Sequence, residues 1–304
     1  MKIFNVLFML VLVFLTGCAT QYKTVFDHEE SRSNWCSCAL LETQHGLFAS
    51  VYNNSSRVNS ELYLNWKKIY SGSQETIGQG LEHKNSVYFP VECGKGLIYR
   101  DGKVIETVKL DHSSLAIVYK DQPCFVSSEG SGEYIINAEN GNKVLRLAVN
   151  AKVGIPMSAA KLPLSEEYII VLADHGGNES LVTTDGTVIY LPNVTTVVNW
   201  DGKIIAGAAG IMYEINVDKK SYKKYYNTGT KMINHMWVDG GLLWVTCSSS
   251  DKLLYFTWTG SDYKVAEFTD DPWPTGKYFD SRIAKGWWAR NKKTQAQWYK
   301  IEKK

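Results

Sequence analysis

Two carboxylates, Asp270 and Asp271, stand just before Trp273, which is set between Pro272 and Pro274 in the stretch TDDPWPTGKY (269–278). Paired carboxylates accept hydrogen bonds or hold a cation, and an indole face stacks on a sugar ring or a cationic group. Proline on both sides restricts the backbone and lowers the entropy lost on engaging a partner. The competing reading makes Trp273 a packing wedge between neighbouring structural units. A second polar stretch, ADHGGNES (173–180), offers Asp174 and His175 among flexible glycines. An Asp–His pair can orient and move a proton, but it needs a nucleophile to activate. None is visible beside it, so a polar turn is the plainer account. The stretch CSSSDK (247–252) adds hydroxyls and Asp251, with the same two readings.

No nucleophile elbow, phosphate-binding loop, dinucleotide fingerprint, HExxH or EF-hand loop occurs in the chain. His45, His83, His112 and His235 show no metal-ligand spacing, and Cys36-x-Cys38 lacks a second close Cys/His pair. Cys93, Cys124 and Cys247 are scattered, and the five mature cysteines read as buried structural thiols. The sequence therefore predicts no cofactor, no metal and no nameable catalytic residue. Ligand contact falls to loops, where function on a rigid scaffold usually lies.

The elements that must position these loops are short strands. From about residue 36 the chain alternates Val/Ile/Leu/Tyr/Trp runs with Gly, Asn, Asp and Ser turns, and helical periodicity is nearly absent. One pattern recurs: an apolar run, a turn often carrying Asp-Gly or Asn-Gly, then a second apolar run. It reads LIYRDGKVIETV (97–108), YIINAENGNKVLRL (134–147) and LVTTDGTVIYL (181–191), with four looser versions. Markers at Leu62, Leu97, Tyr134, Leu181, Ile211, Leu253 and Gln297 are about 39 residues apart on average, near the ~40–45 of a four-stranded propeller blade. Two further strand-like runs precede each hairpin. With the strands named A to D, the seventh unit offers A near 279–283, B near 286–290 and C near 296–302, and then the chain ends.

This arrangement resembles a β-propeller, most simply of seven four-stranded blades. Residues 22–27 (YKTVFD) would supply the missing D strand, since an open edge exposes unpaired backbone groups. A pair of β-sandwiches is the alternative all-β reading. Trp200-Asp201 falls in an A–B turn, unlike the WD dipeptide of WD40 repeats, and the adjacent Asp185-Gly186 does not match the Asp-box of sialidases. Resemblance to the propeller class implies that the B–C and D–A connections share the binding face, and 173–180, 247–252 and 269–278 are three of these. The stretch DKKSYKKYY (218–226) places four lysines on an outer strand, read as protection of an exposed edge.

At the N-terminus Lys2 precedes an apolar stretch over 3–15, the layout of a secretory signal peptide. Thirteen helical residues span ~20 Å, too short for a ~30 Å hydrocarbon core. Leu15-Thr16-Gly17-Cys18 resembles the lipobox of bacterial lipoproteins. That resemblance implies cleavage before Cys18, acyl chains on Cys18, and stable membrane anchoring. Ala19, in place of an aspartate, directs such a protein to the periplasmic leaflet of the outer membrane. The expected organisation is a signal peptide (1–17), a tether (18–21) and one domain (22–304).

A net charge of +2, from 33 basic and 31 acidic side chains, argues against a nucleic-acid partner. The expected function is a lipid-anchored binding or assembly scaffold for an envelope protein or polysaccharide. The alternative is a glycan-directed hydrolase or lyase using carboxylates at the propeller funnel. Several charged side chains converging on one funnel would favour the enzyme.

Overall fold

Six of the hairpins turn on two consecutive left-handed residues. They are Asn65-Trp66, Asp101-Gly102, Lys120-Asp121, Asp201-Gly202, Ala209-Gly210 and Gly240-Gly241. Two such residues bend the chain with the right-handed twist of the flanking strands, so each apolar run folds back on the one before it. The computed structural model describes residues 22–30, 32, 35–53, 59–73, 76–92, 94–148, 154–174, 179–248, 253–258, 263–268, 278–292 and 295–303.

Among the described residues the regular elements are all strands. After β1 (Tyr22–Glu29), the first set of strands pairs β2 (Trp35–Thr43), β3 (Gly46–Asn53), β4 (Asn59–Leu64) and β5 (Lys67–Ser73), and one parallel bridge, Trp35↔Gln295, joins it to the last strand of the chain. In the second, β6 (Thr76–Ile77) and β7 (Leu81–His83) both pair with β8 (Ser86–Glu92), followed by β9 (Lys95–Arg100) and β10 (Lys103–Lys109). The third is β11 (His112–Tyr119), β12 (Gln122–Glu129), β13 (Gly132–Asn137) and β14 (Lys143–Arg146). The fourth is β15 (Gly154–Lys161), β16 (Tyr168–Asp174), β17 (Glu179–Thr183) and β18 (Val188–Tyr190). The fifth is β19 (Val194–Trp200), β20 (Lys203–Ala208), β21 (Ile211–Asn216) and β22 (Ser221–Asn227). The sixth is β23 (Met232–Asp239), β24 (Leu242–Ser248), β25 (Leu253–Trp258) and β26 (Tyr263–Phe268). Last come β27 (Tyr278–Ala284), β28 (Trp287–Lys292) and β29 (Gln295–Lys303), and β29 pairs antiparallel with β1 from Tyr22↔Lys303 to Glu29↔Gln297.

The inner strands of these sheets, such as β8, β12 and β20, are buried on both faces, which explains their high apolar content. Along β16, Ile169 and Val171 pack towards the fifth sheet with Val197 and Ala206, while Ile170 and Leu172 pack towards the third with Leu115 and Val126. The two-residue period of a strand sends alternate side chains to opposite neighbours. Apolar clusters therefore lie between successive sheets. One of them joins Leu40, Ala49 and Val51 of the first sheet to Trp287 and Trp298 of the last strands.

The first strand of the second sheet is broken in two, a feature the sequence did not announce. A side chain on Gly78 would sit 2.4 Å from the backbone of Ser114, and one on Gly80 would sit 2.3 Å from the Phe89 ring. The chain passes too close to its neighbours there for a continuous, side-chain-bearing strand. The thiols divide as well: Cys124 and Cys247 are buried as expected, but Cys38 is only half-buried at a bulge of β2. Cys93 and the side chain of Cys36 lie outside the described residues. Lys223 and Lys224 lie exposed on β22, the outermost strand of its sheet.

Charge ties the segment after β1 to the first sheet. Arg32 donates to Glu30 at 2.8 Å through Nε and through Nη2, to Glu61 Oε2 at 2.7 Å, and to the Tyr63 hydroxyl at 3.1 Å. Burial raises the Glu61 carboxyl, but hydrogen bonds from Arg32, Tyr63 and Lys68 overcome this and hold it down at about 2. Trp66, at the hairpin between β4 and β5, donates to Asp27 of β1 at 2.7 Å and stacks on His28 with ring centres 4.3 Å apart.

Candidate functional site

The first strands of the sheets carry the site. β11 packs on β15, β15 on β19, β19 on β23, β23 on β27, and β27 on β2. Hydroxyl side chains seal these junctions. Ser50 donates to Ile77 O at 3.3 Å and accepts from Ala39 N at 2.7 Å. Ser158 accepts from Val197 N at 3.1 Å, and Thr196 accepts from Met236 N at 3.3 Å. Ser114 reaches the Pro156 carbonyl and Thr195 reaches that of Ile233. Five of the first strands besides β2 carry a one-residue bulge, among them β11 at Ser114, β15 at Met157, β19 at Thr195 and β23 at Asn234. A bulge bends the strand locally and re-aims its side chains.

Beyond the bulges these strands enclose a cavity of about 550 Å³. Its polar lining includes Glu42, Gln79, Glu82, Lys161, Asn199 and His235, and its apolar lining includes Leu81, Met157, Met236 and Trp237. Glu42, Glu82 and Asn199 are each the next-to-last residue before their strand's turn. The cavity therefore lies towards the ends of the first strands.

Several of these polar groups are already engaged. Glu82 Oε1 accepts from Gln44 N at 3.2 Å, and Gln79 Nε2 donates to Leu40 O at 3.2 Å. Lys161 bridges to Glu166 at 2.9 Å, a hydrogen bond that raises the ammonium above its usual range. Asn199 donates to the Lys161 carbonyl at 2.9 Å. Two atoms differ. Glu42 Oε2 and Trp237 Nε1 are buried, and neither meets a hydrogen-bond partner among the described residues. A buried polar atom left unmet costs stability, so such atoms normally find an ordered water or a ligand. Both atoms belong to residues of the cavity lining but lie beneath its surface. Beside them His235 and Trp237 present near-parallel rings 6.5 Å apart, and Met157 is 43% exposed.

The loops singled out in the sequence connect the strands as expected. Residues 175–178 join β16 to β17, 249–252 join β24 to β25, and 269–277 join β26 to β27. Their side chains are a different matter. Cys18, His175, Asp251, Asp270, Asp271 and Trp273 lie outside the described residues, and Asp174 is placed only by its backbone at the end of β16. All three loops leave from the end of the sheets where the first strands begin, opposite the end on which the cavity lies. The cavity residues were missed because they come from separate units, far apart in the chain, with no motif linking them. Aligning the units on their first turns would have revealed them, since Glu42, Glu82 and Asn199 then share one position.

No protein-family model and no curated protein matches this chain. Solved structures do. A catalytically inactive virginiamycin B lyase from Staphylococcus aureus, with quinupristin, aligns over 92% of this chain and 99% of its own, with a TM-score of 0.65 and 9% identity. The extracellular domain of a hybrid two component system from B. thetaiotaomicron aligns over 92% of this chain and 41% of its own, with a TM-score of 0.64 and 11% identity. The computationally designed Ika8 protein aligns over 89% and 98%, with a TM-score of 0.53 and 8% identity. At such identities the likeness is one of fold, because unrelated activities share scaffolds. The chain is an all-β protein of β-propeller-like architecture, built from successive four-stranded antiparallel sheets.

Proposed function

We propose that this protein is a lipid-anchored binding module whose central cavity receives the polar part of an envelope protein or polymer. In this reading the sheets are seven blades and β1 closes the ring as the fourth strand of the last. Acyl chains on Cys18 hold the ring at the periplasmic leaflet of the outer membrane. The observation that carries the binding role is the cavity itself, where Glu42, Glu82, Lys161, Asn199 and His235 stand beside Met157, Met236 and Trp237. Charged and amide side chains beside apolar walls suit a ligand with hydroxyl or amine groups on a carbon body. The loops bearing Asp270, Asp271, Trp273, Asp174, His175 and Asp251 offer a second contact surface at the opposite end.

The second reading is a glycan-directed hydrolase or lyase. Two carboxylates, Glu42 and Glu82, and His235 line the same cavity, and this favours it. The two readings separate in one experiment. Labelled glycan fragments, envelope peptides and lipopolysaccharide are offered to the purified domain and scored for retention and for turnover. The binding role predicts a component that is retained unchanged, and whose retention falls at least tenfold in Glu42→Gln and in Trp237→Phe. Turnover would establish the enzyme instead. Retention indifferent to both substitutions would remove the cavity as the site.

A further inference from the structure

We infer that the outer edge of β1 is a membrane-contacting surface, seated among lipid headgroups beside the acyl anchor. The inference rests on the lipoprotein reading of Cys18 and adds to it the part of the domain that touches the bilayer. From Cys18 to Tyr22 the chain takes four steps, which even fully extended span at most about 14 Å. Tyr22 is not a loose end. It begins the ladder with β29 opposite Lys303, and its ring meets Trp244 at 5.1 Å and Tyr255 at 5.3 Å, both edge-on. A compact domain of this length is about 50 Å across. So short a tether, pinned to the body at Tyr22, cannot hold the domain clear of the surface. The rim that carries β1 must rest on it.

The surface chemistry of that rim agrees with the geometry. Among the described residues β1 pairs with β29 alone, which leaves its other edge unpaired there, and an open edge is a liability in water. Phe26 is 50% exposed and Val25 is 38% exposed, so apolar side chains flank the edge on both faces of the strand. Opposite Tyr22 and Val25 in the ladder stand Lys303 and Lys300, both exposed. Apolar side chains that enter the interface, with lysines level with anionic headgroups, are the composition of a membrane-surface contact. The acidic residues of β1, Asp27 and Glu29, lie at the end away from the tether, where Asp27 is held by Trp66.

The test uses the full-length protein purified with its acyl chains and reconstituted in vesicles of phosphatidylethanolamine and phosphatidylglycerol at three to one. A benzophenone amino acid replaces Phe26 in one sample. In another it replaces Ile105, which is 48% exposed on the outer strand of the second sheet. Melting curves first confirm that both variants fold as the parent does. After illumination, mass spectrometry should find lipid adducts at position 26 at least ten times as often as at position 105. Equal lipid labelling at the two positions would overturn the seating. So would protein–protein adducts at position 26, which would make the edge a contact between copies of the chain. The mass of the N-terminal peptide reports acylation of Cys18 separately. An unmodified cysteine defeats the anchor and the seating with it, whereas an acylated Cys18 without lipid adducts at position 26 defeats the seating alone.

Discussion

Replacing Arg32 with alanine tests whether charge holds the β1–β2 connection to the first sheet. Glu30 and Glu61 are 8% and 5% exposed, and Arg32 lies between them. Its removal leaves two buried carboxylates facing one another, with Lys68, 3.2 Å from Glu61, as the cation left beside them among the described residues. Breaking a fully buried pair costs ~3–5 kcal/mol. The Arg32 side chain is 40% exposed, so solvent screens part of its interaction, and a loss of about 2–3 kcal/mol is the fitting expectation. At roughly 2–4 °C per kcal/mol for a domain of this order of size, the melting temperature at pH 7 should fall by about 5–10 °C. The effect has a definite pH dependence. Glu61 titrates at about 2 in the fold against its ordinary 4.5. A carboxylate depressed in the fold contributes stability that is complete above the ordinary value and fades as pH falls towards the folded one. Glu30 is lowered too, because the Arg32 hydrogen bonds and charge outweigh its burial. The gap between parent and Arg32→Ala should therefore narrow between about pH 4.5 and pH 2. Calorimetry across that range reads it directly. Equal melts at pH 7, or a gap that widens on acidification, would refute the argument.

Two glycines with nearly the same backbone should respond very differently to alanine. Gly102 has φ +76° and no neighbour within 4 Å of a new Cβ, whereas Gly210 has φ +74° with the Thr230 carbonyl 2.0 Å from that point. Urea titration should show a loss of ~1 kcal/mol for Gly102→Ala, from left-handed strain alone, and a much larger one for Gly210→Ala. Matching losses would mean that the backbone around Thr230 yields freely. Burial pushes the Cys124 thiol up to about 11, against a smaller opposing pull from the Tyr119 backbone. Cys124 should resist iodoacetamide at pH 7.5 in the native protein and react once urea opens the fold, and a mass-mapped native adduct at Cys124 would contradict its burial.

The strands and their turns were legible because they answer to local rules. Asp101-Gly102 and Asp201-Gly202 announce hairpins since few residue pairs tolerate two left-handed positions in a row, and the apolar runs beside them have strand length. The pairing of β1 with β29 was also foreshadowed, because a last unit with three strands needs a fourth. The cavity could not be read in the same way. Glu42, Glu82, Lys161, Asn199 and His235 belong to five sheets, and each is one polar residue among the others of its own strand. Nothing local separates such a residue from an ordinary strand polar group. The Arg32 network was equally hidden, because Glu61 lies 29 residues further along the chain.

What this sequence determined by itself is where the chain turns and which runs become strands, since both follow from neighbours a few residues apart. It did not determine which polar side chains meet. That depends on how the sheets fan around one another, and therefore on bulges, on close backbone approaches such as Gly78 against Ser114, and on hydroxyl bonds between first strands. Those contacts form only when strands some forty residues apart are packed side by side, so the cavity and its two unmet atoms are products of the tertiary structure alone.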